Sequence, residues 1–263
     1  MRMDNNEIKK DRFRIGKTFI TITTPQDAKK RIADAVRKGQ NAYVCASDPR
    51  TVDYACVHED YCELMNNSLM NTPDGQPTMW AAKLWGVKGI ERTMGPILFQ
   101  DMITDRESGL KHFLLGDTEE TLKAIVEKAS VNKENIVGTY SPPFCSLDEF
   151  DYEGMAKMIN ESHADVVWTA LRAPKQDFFN VRLLPYLDKK VCVGVGAAFR
   201  FYLGEYKLAP PLIRKLGLMG IYWGTKGKGW PKFLKDYAVN NLPFLWYLAK
   251  IPFWRMMGRN YYE

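Results

Sequence analysis

Lys111-His-Phe-Leu-Leu-Gly116-Asp117-Thr-Glu-Glu120 decides the fold. An apolar run of strand length stops at a glycine. A cluster of acids and a hydroxyl then opens an amphipathic stretch reaching about residue 130, with Asp117 expected as its cap. The same unit recurs downstream. Asn135-Ile-Val-Gly-Thr-Tyr140 reads as a strand and 147–161 as a helix. Asp165-Val-Val-Trp-Thr-Ala-Leu171 is a strand, a helix follows Pro174, and Lys190-Val-Cys-Val-Gly-Val-Gly196 is the last strand. Strands without polar alternation are covered on both faces, and helices of 10–15 residues between them act as crossovers. The class is therefore α/β, with a mainly parallel sheet flanked by helices.

Working outward, residues 13–22 are β-rich, and Thr24-Pro25 opens a helix reaching about Lys38. Ala42-Tyr-Val-Cys-Ala46 is a buried strand, and 48–66 is read as one helix capped by Asp48. Asn71-Thr-Pro-Asp-Gly-Gln-Pro77 reads as a turn, with short helices over 77–85 and 96–107. After Gly204, prolines and glycines interrupt the pattern until a short helix over 231–240. This divides the chain into a domain over 1–204 and a C-terminal appendage over 205–263.

Charge is divided at the same place. The 263 residues hold 37 Lys and Arg against 31 Asp and Glu, a net +6. Residues 207–263 hold ten basic and two acidic residues, a net +8, which leaves −2 for the rest. The last 23 residues add seven aromatics, among them Trp246 and Trp254. Trp and Tyr favour the headgroup layer and Lys and Arg attract anionic lipid. Phe244, Trp246, Leu248, Ile251, Phe253 and Trp254 would supply area for shallow insertion. A terminal helix packed on the body, or a contact in a homo-oligomer, is the alternative use of the segment. Nucleic acid is not an expected partner, because the basic residues are scattered among apolar ones. Five cysteines without CxxC spacing, and three histidines, suggest neither a disulfide framework nor a zinc site. The charged N-terminus has no signal-peptide pattern, and no run has the ~18–20 apolar residues of a spanning helix. A cytoplasmic location follows as the expectation.

Ligands of an open parallel sheet bind beyond the carboxyl ends of its strands. That points to Ser47-Asp48, Gly116-Asp117, Tyr140-Ser141, Arg172 to Gln176, and Gly196 to Arg200. Gly116, followed by a helix N-terminus, suits a phosphate. Neither GxGxxG nor GxxxxGK[ST] occurs. Asp74, held between two prolines, is either an ordinary turn residue or a general base.

Taken in order, several segments resemble the WecG/TagA/CpsF glycosyltransferases (glycosyltransferase family 26) over about residues 42–243. Asn71 to Lys83 is similar to the family's DG-x-P-x-x-W-A box, and Ala173-Pro-Lys-Gln-Asp177 to G-x-P-K-Q-E. Val193-Gly-Val-Gly-Ala-Ala-Phe199 is similar to GVG-x-x-F, Glu91-Arg92-Thr-Met-Gly95 to E-R-V-x-G, and His112 to Gly116 to the F-L-L-G strand. The resemblance implies a Rossmann-like fold. It also implies transfer of a hexose or N-acetylhexosamine from a nucleotide-diphosphate donor, typically UDP-linked. The acceptor would be a polyprenyl-diphosphate-linked sugar at the inner membrane face, in the synthesis of capsule, teichoic acid or exopolysaccharide. Inversion without metal or cofactor is implied as well. By matched position Asp74 would be the base, with Arg92 and Gln176 on the diphosphate or sugar. Ser47, Asp48, Gly75, Gly116, Tyr140, Lys175, Gly196 and Arg200 would line the donor. Lys226, Lys228, Lys232, Lys235, Trp246, Trp254 and Arg255 would face the acceptor and membrane.

The chain also departs from the family pattern. Ala46-Ser47-Asp48-Pro49 replaces T-x-N-P, Arg200 stands where the family has Asp, and Gly217-Leu-Met-Gly-Ile-Tyr-Trp-Gly224 lacks the family's Glu and Arg. A catalytically impaired homologue that binds nucleotide sugar or lipid is the alternative reading.

Overall fold

The computed structural model describes residues 11–129, 133–216, 222 and 230–262. A parallel six-stranded sheet forms the centre. Its strands are β3 (Ala42–Ser47), β4 (Met70–Pro73), β5 (His112–Gly116), β6 (Ile136–Tyr140), β7 (Val166–Ala170) and β8 (Val191–Gly194). Their order is β4-β3-β8-β7-β5-β6. Every pairing is parallel, as the uninterrupted apolar runs require. The 13–22 stretch is a separate antiparallel hairpin of β1 (Arg12–Ile15) and β2 (Thr18–Thr21).

Helices α1 (Pro25–Arg37), α2 (Pro49–Val57), α3 (Glu59–Asn67), α4 (Gln76–Trp85), α5 (Gly95–Ile103), α6 (Glu119–Lys128), α7 (Tyr152–Glu161), α8 (Lys175–Leu183) and α9 (Ala198–Leu203) connect and cover the sheet. Thr24 caps α1, and Asp48 with Thr51 forms a capping box on α2. The segment read as one helix over 48–66 breaks at His58, which is extended. Thr118 rather than Asp117 caps α6, because Asp117 is left-handed (φ 56°). The segment read as a helix over 147–161 is a single 3₁₀ turn followed by α7.

One strand lies hidden in the sequence. β4 occupies Met70–Pro73, inside the stretch read as a turn. It is an edge strand, where Pro73 withdraws no ladder donor the sheet needs. The consequence is positional. Asp74 follows the carboxyl end of a strand, and its N–H and that of Gly75 both donate to the Ser47 carbonyl (3.1 Å each).

The sheet buries one apolar cluster on each face, around Phe99 and Trp168 and around Tyr61 and Phe179. A third cluster joins the hairpin, α4 and the C-terminal helix. After α10 (Pro211–Lys215), helix α11 runs from Trp230 to Met256. Phe244, Leu248 and Ile251 lie three to four residues apart and are buried against Phe13, Ile15, Ile20, Val52 and Ala81. Trp254 stacks on Trp85 with ring centroids 6.2 Å apart. The six residues expected to insert into lipid therefore separate: Phe244, Leu248 and Ile251 belong to the core. Trp246 and Phe253 remain exposed with Leu242, Leu245, Met256 and Met257. Among the described residues no helix is long and apolar enough to cross a membrane.

Candidate active site

The carboxyl ends of the strands bring the expected residues to one edge of the sheet. In sheet order these are Asp74 and Gly75 after β4, Ser47 and Asp48 after β3, Gly196 after β8, Lys175 and Gln176 after β7, Gly116 and Asp117 after β5, and Tyr140 closing β6. β5 connects outward to β6 while β7 connects the other way to β8, so the chain opens a crevice between them. The two residues bordering it, Asp117 and Arg172, hold left-handed φ values of 56° and 64°. Side chains rarely adopt that conformation, and it collects at functional sites.

Asp74 sits at the crowded end. One carboxylate oxygen accepts from the N–H of Gly95 (2.8 Å), the first residue of α5. The Arg92 Nε donates to the Asp74 carbonyl (2.6 Å). Burial raises the Asp74 carboxyl above the ordinary carboxylate range, with the Gly95 N–H and the charge of Arg92 pulling the other way. Burial also lowers the Arg92 guanidinium. Gly75 is required by packing, because a Cβ there would lie 3.0 Å from Pro49 and 3.2 Å from the Asp48 backbone. α4 starts immediately after it with no side chain capping its N-terminus. That terminus leaves backbone N–H groups for a ligand beside Asp74.

Ser47 does not face this opening. It is fully buried, and its hydroxyl meets the Asn71 side chain in a short hydrogen bond. Its contribution is the carbonyl that fixes the Asp74 loop. Asp48 caps α2 and pairs with Arg50 (2.9 Å).

In the centre, Gln176 is buried and its side-chain carbonyl accepts from the Gly196 N–H (2.9 Å), tying the β7 and β8 loops together. Gly194 has no room for a side chain: a Cβ would sit 2.8 Å from the Gln176 amide nitrogen and 3.0 Å from Asp177. Lys175 turns away, donating to the Cys145 carbonyl with its ammonium over the Phe144 and Phe150 rings. Tyr140 packs half-buried beside the second core cluster.

At the far end Gly116 (φ 114°) passes so close to β7 that a Cβ would be 2.9 Å from the Ala170 backbone. The expected phosphate seat on α6 already carries acids: Asp117 bonds the Thr118 N–H, and Glu119 and Glu120 fill the first turn. A phosphate there would meet like charge. Arg200 grips Asp117 through two nitrogens (3.0 and 2.6 Å) and reaches Glu205 with a third (2.9 Å). Its fork thus clamps α9 to the β5 loop. Replacing Arg200 by Ala is expected to cost about 1 kcal/mol, since the side chain is a third exposed and screened. That corresponds to a melting temperature lower by about 2–4 °C. Thermal unfolding with donor titration checks it; a donor KM raised tenfold with unchanged stability would assign Arg200 to the ligand instead.

Of the cationic tail, Lys226 and Lys228 lie outside the described residues, and only the helical backbone is described at Lys232 and Lys235. Trp246 is exposed, with Lys250 over its ring. Trp254 is packed against Trp85, and Arg255 donates to the Leu84 carbonyl (2.6 Å). Among the described residues no group of three His, Cys, Asp or Glu side chains could hold a metal ion.

Three side chains enter the site without having been singled out. Arg50 follows the Asp48 cap, and the charges of Asp48 and Asp74 raise its pKa. Arg214, on α10, adds its positive charge to the field on Arg92. Its Nε is buried without a partner among the described residues. Asp177 is completely buried beneath Gly194 and accepts from the Tyr61 hydroxyl (2.6 Å). Arg50 lies two residues from Asp48 and Asp177 one from Gln176, but only the fold shows that Arg50 meets two acids while Asp177 turns into the core.

Comparison with known proteins places the chain in a family. Residues 13–257 match the profile described as Glycosyl transferase WecG/TagA/CpsF family. Among curated proteins, the N-acetylglucosaminyldiphosphoundecaprenol N-acetyl-beta-D-mannosaminyltransferases of Staphylococcus aureus strains MRSA252 and NCTC 8325 / PS 47 are each 26% identical over 183 residues. The match covers 69% of this chain and 71% of theirs. With a match running from the hairpin to the end of α11 and the motif residues gathered on one sheet edge, the chain belongs to the WecG/TagA/CpsF family and is a glycosyltransferase.

Proposed function

We propose that the protein transfers a hexose or N-acetylhexosamine from a UDP-linked donor to a polyprenyl-diphosphate-linked sugar, in the synthesis of a cell-surface polysaccharide. The observation that carries the reading is the Asp74 corner: a carboxylate raised by burial, at the sheet's ligand-binding edge, beside an uncapped helix N-terminus and Arg92. The names of the staphylococcal relatives supply the acceptor class.

The step balances as a single displacement. The acceptor hydroxyl oxygen attacks the anomeric carbon from the face opposite the leaving group, and its proton passes to Asp74. The bond from that carbon to the diphosphate oxygen breaks, and the leaving diphosphate takes the electron pair. A base of raised pKa holds the proton better than an ordinary carboxylate. Arg92, Arg50 and Arg214 supply positive charge where the diphosphate gains negative charge. Gln176, held by the Gly196 N–H, would orient the sugar in this reading.

The test is transfer to polyprenyl-diphosphate-linked N-acetylglucosamine, with UDP-, GDP- and TDP-sugars screened and product mass measured. Transfer from a UDP-sugar is the expected result. Nucleotide binding without turnover across the screen would favour the catalytically impaired homologue, which the Ala46 and Arg200 departures motivate.

Peripheral attachment to the inner membrane face belongs to the same reading, and the outer stripe of α11 supports it. Truncation would remove Phe244, Leu248 and Ile251 from the core, so surface variants are the better probe. Replacing Trp246 and Phe253 by Ser is expected to reduce flotation with anionic vesicles several-fold. Equal flotation of variant and wild type would remove the membrane argument.

A further inference from the structure

An open apolar groove of about 1020 Å³ runs between α4 and α11. Trp80 and Leu84 form one wall, Leu248, Pro252 and Met256 the other, with Lys83 and Arg255 beside them. Ligand pockets commonly hold about 300–1,000 Å³, so this groove is at the large end. The reaction itself, as drawn around Asp74, makes no use of it.

The groove lies along the helix that follows the base. α4 begins two residues after Asp74. At about 1.5 Å of rise per residue, Trp80 lies ~6 Å and Leu84 ~12 Å along the axis from the first residue of α4. An acceptor whose sugar hydroxyl reaches Asp74 carries its diphosphate and then its hydrocarbon chain away from that point. The groove is the apolar surface that follows. Lys83 is exposed at its wall, and Arg255 is anchored there by its bond to the Leu84 carbonyl, next to Gly86. An anchored arginine and an exposed lysine over an apolar trough complement a diphosphate joined to a hydrocarbon. Phe253 and Met257, neighbours of the groove residues Pro252 and Met256, are each more than half exposed, so the apolar surface continues outward.

We propose that the α4–α11 groove seats the polyprenyl chain of the lipid-linked acceptor as it leaves the Asp74 corner. This rests on the proposed acceptor class. The groove selects acceptors by their lipid, separately from the headgroup-layer contact of Trp246.

Two measurements test it. In the first, the double variant Leu84→Gln, Met256→Gln is assayed with an undecaprenyl-linked acceptor and with the same acceptor truncated to two isoprene units, both in detergent micelles without a bilayer. KM for the long acceptor is expected to rise about tenfold, with less than a twofold change for the short one. Equal effects on both acceptors, or none on either, would overturn the seat. In the second, wild-type protein is irradiated with a polyprenyl diphosphate bearing a diazirine on an inner isoprene unit, and the adducts are mapped by mass spectrometry. Adducts within 80–84 and 248–256 are expected. Adducts elsewhere, or a protein that forms dimers through this face and takes up no label, would refute it. The labelling does not depend on turnover. Transfer absent with correct labelling would count against the proposed reaction and leave the seat standing.

Discussion

Asp74→Asn is expected to lower kcat by about 10²–10⁴, the range that positioned general bases contribute. The substitution separates chemistry from structure at this position. The carboxylate accepts one N–H, from Gly95, through Oδ1. An Asn carbonyl oxygen can accept the same bond, so α5 keeps its anchor, and the backbone bonds to Ser47 and Arg92 do not involve the side chain. Folding and donor affinity should therefore persist while the proton acceptor is lost. The check is single-turnover transfer beside calorimetric titration with the nucleotide sugar. Full rate in Asp74→Asn would remove Asp74 as the base. The pH profile adds a second signature. Because burial raises the Asp74 carboxyl, the acid limb of the wild-type rate lies above the ordinary carboxylate range and falls as pH drops. That limb disappears in the Asn variant.

The sequence exposes the central sheet because its strands are continuous apolar runs. Val166 to Ala170 and Val191 to Gly194 read as strands without help from anything distant. Caps with a local mechanism were equally legible, as at Thr24 and Asp48. β4 was not, because Thr72-Pro73-Asp74-Gly75 carries turn chemistry. Its strand character comes from pairing with β3, a tertiary fact. The same limit applies to the tail. Phe244, Leu248 and Ile251 resemble Trp246 and Phe253 in composition, and only the helix phase against α2 and α4 separates core from surface. In the site, motif positions such as Asp74 and Gln176 could be matched by order. Whether a side chain faces ligand could not. Ser47 turns inward to Asn71, and Arg200 spends its donors on Asp117 and Glu205. These depend on partners 24, 83 and 5 residues away in the chain.

Asp177→Asn is expected to remove a pH dependence of stability worth a few kcal/mol. Asp177 has no exposed surface. Tyr61 bonds one of its oxygens, and the other has no partner among the described residues. Burial lifts the carboxyl to about 7 against an ordinary 3.8, with the Tyr61 hydroxyl and the neighbouring Cys45 thiol opposing. The folded state thus binds this proton more tightly than the unfolded chain. Stability from it is fully present below about pH 4 and declines as pH rises toward 7. Three units at 1.36 kcal/mol each give a bound of roughly 4 kcal/mol, reduced wherever water reaches the site. Asn has the same shape and no charge, so its advantage over wild type should be near zero only below about pH 4, grow through pH 5 and 6, and level off above pH 7. Denaturant unfolding at four pH values between 5 and 8 measures it, and parallel curves for the two proteins would sink the assignment. His112 contributes the opposite sign. Buried, with Nδ1 accepting from the Trp168 indole (3.2 Å), it is lowered to about 4. Its stability is present above 6.5 and lost as pH falls toward 4. The two windows overlap with opposite slopes, so in wild type they largely cancel between about pH 4 and 6.5, whereas Asp177→Asn unmasks the acid-side loss from His112. Because the acid adjoins Gln176 and lies under Gly194, its ionisation as pH rises through about 7 would place a charge directly beneath the proposed donor edge. The Asn variant should accordingly also flatten any alkaline rise in donor KM.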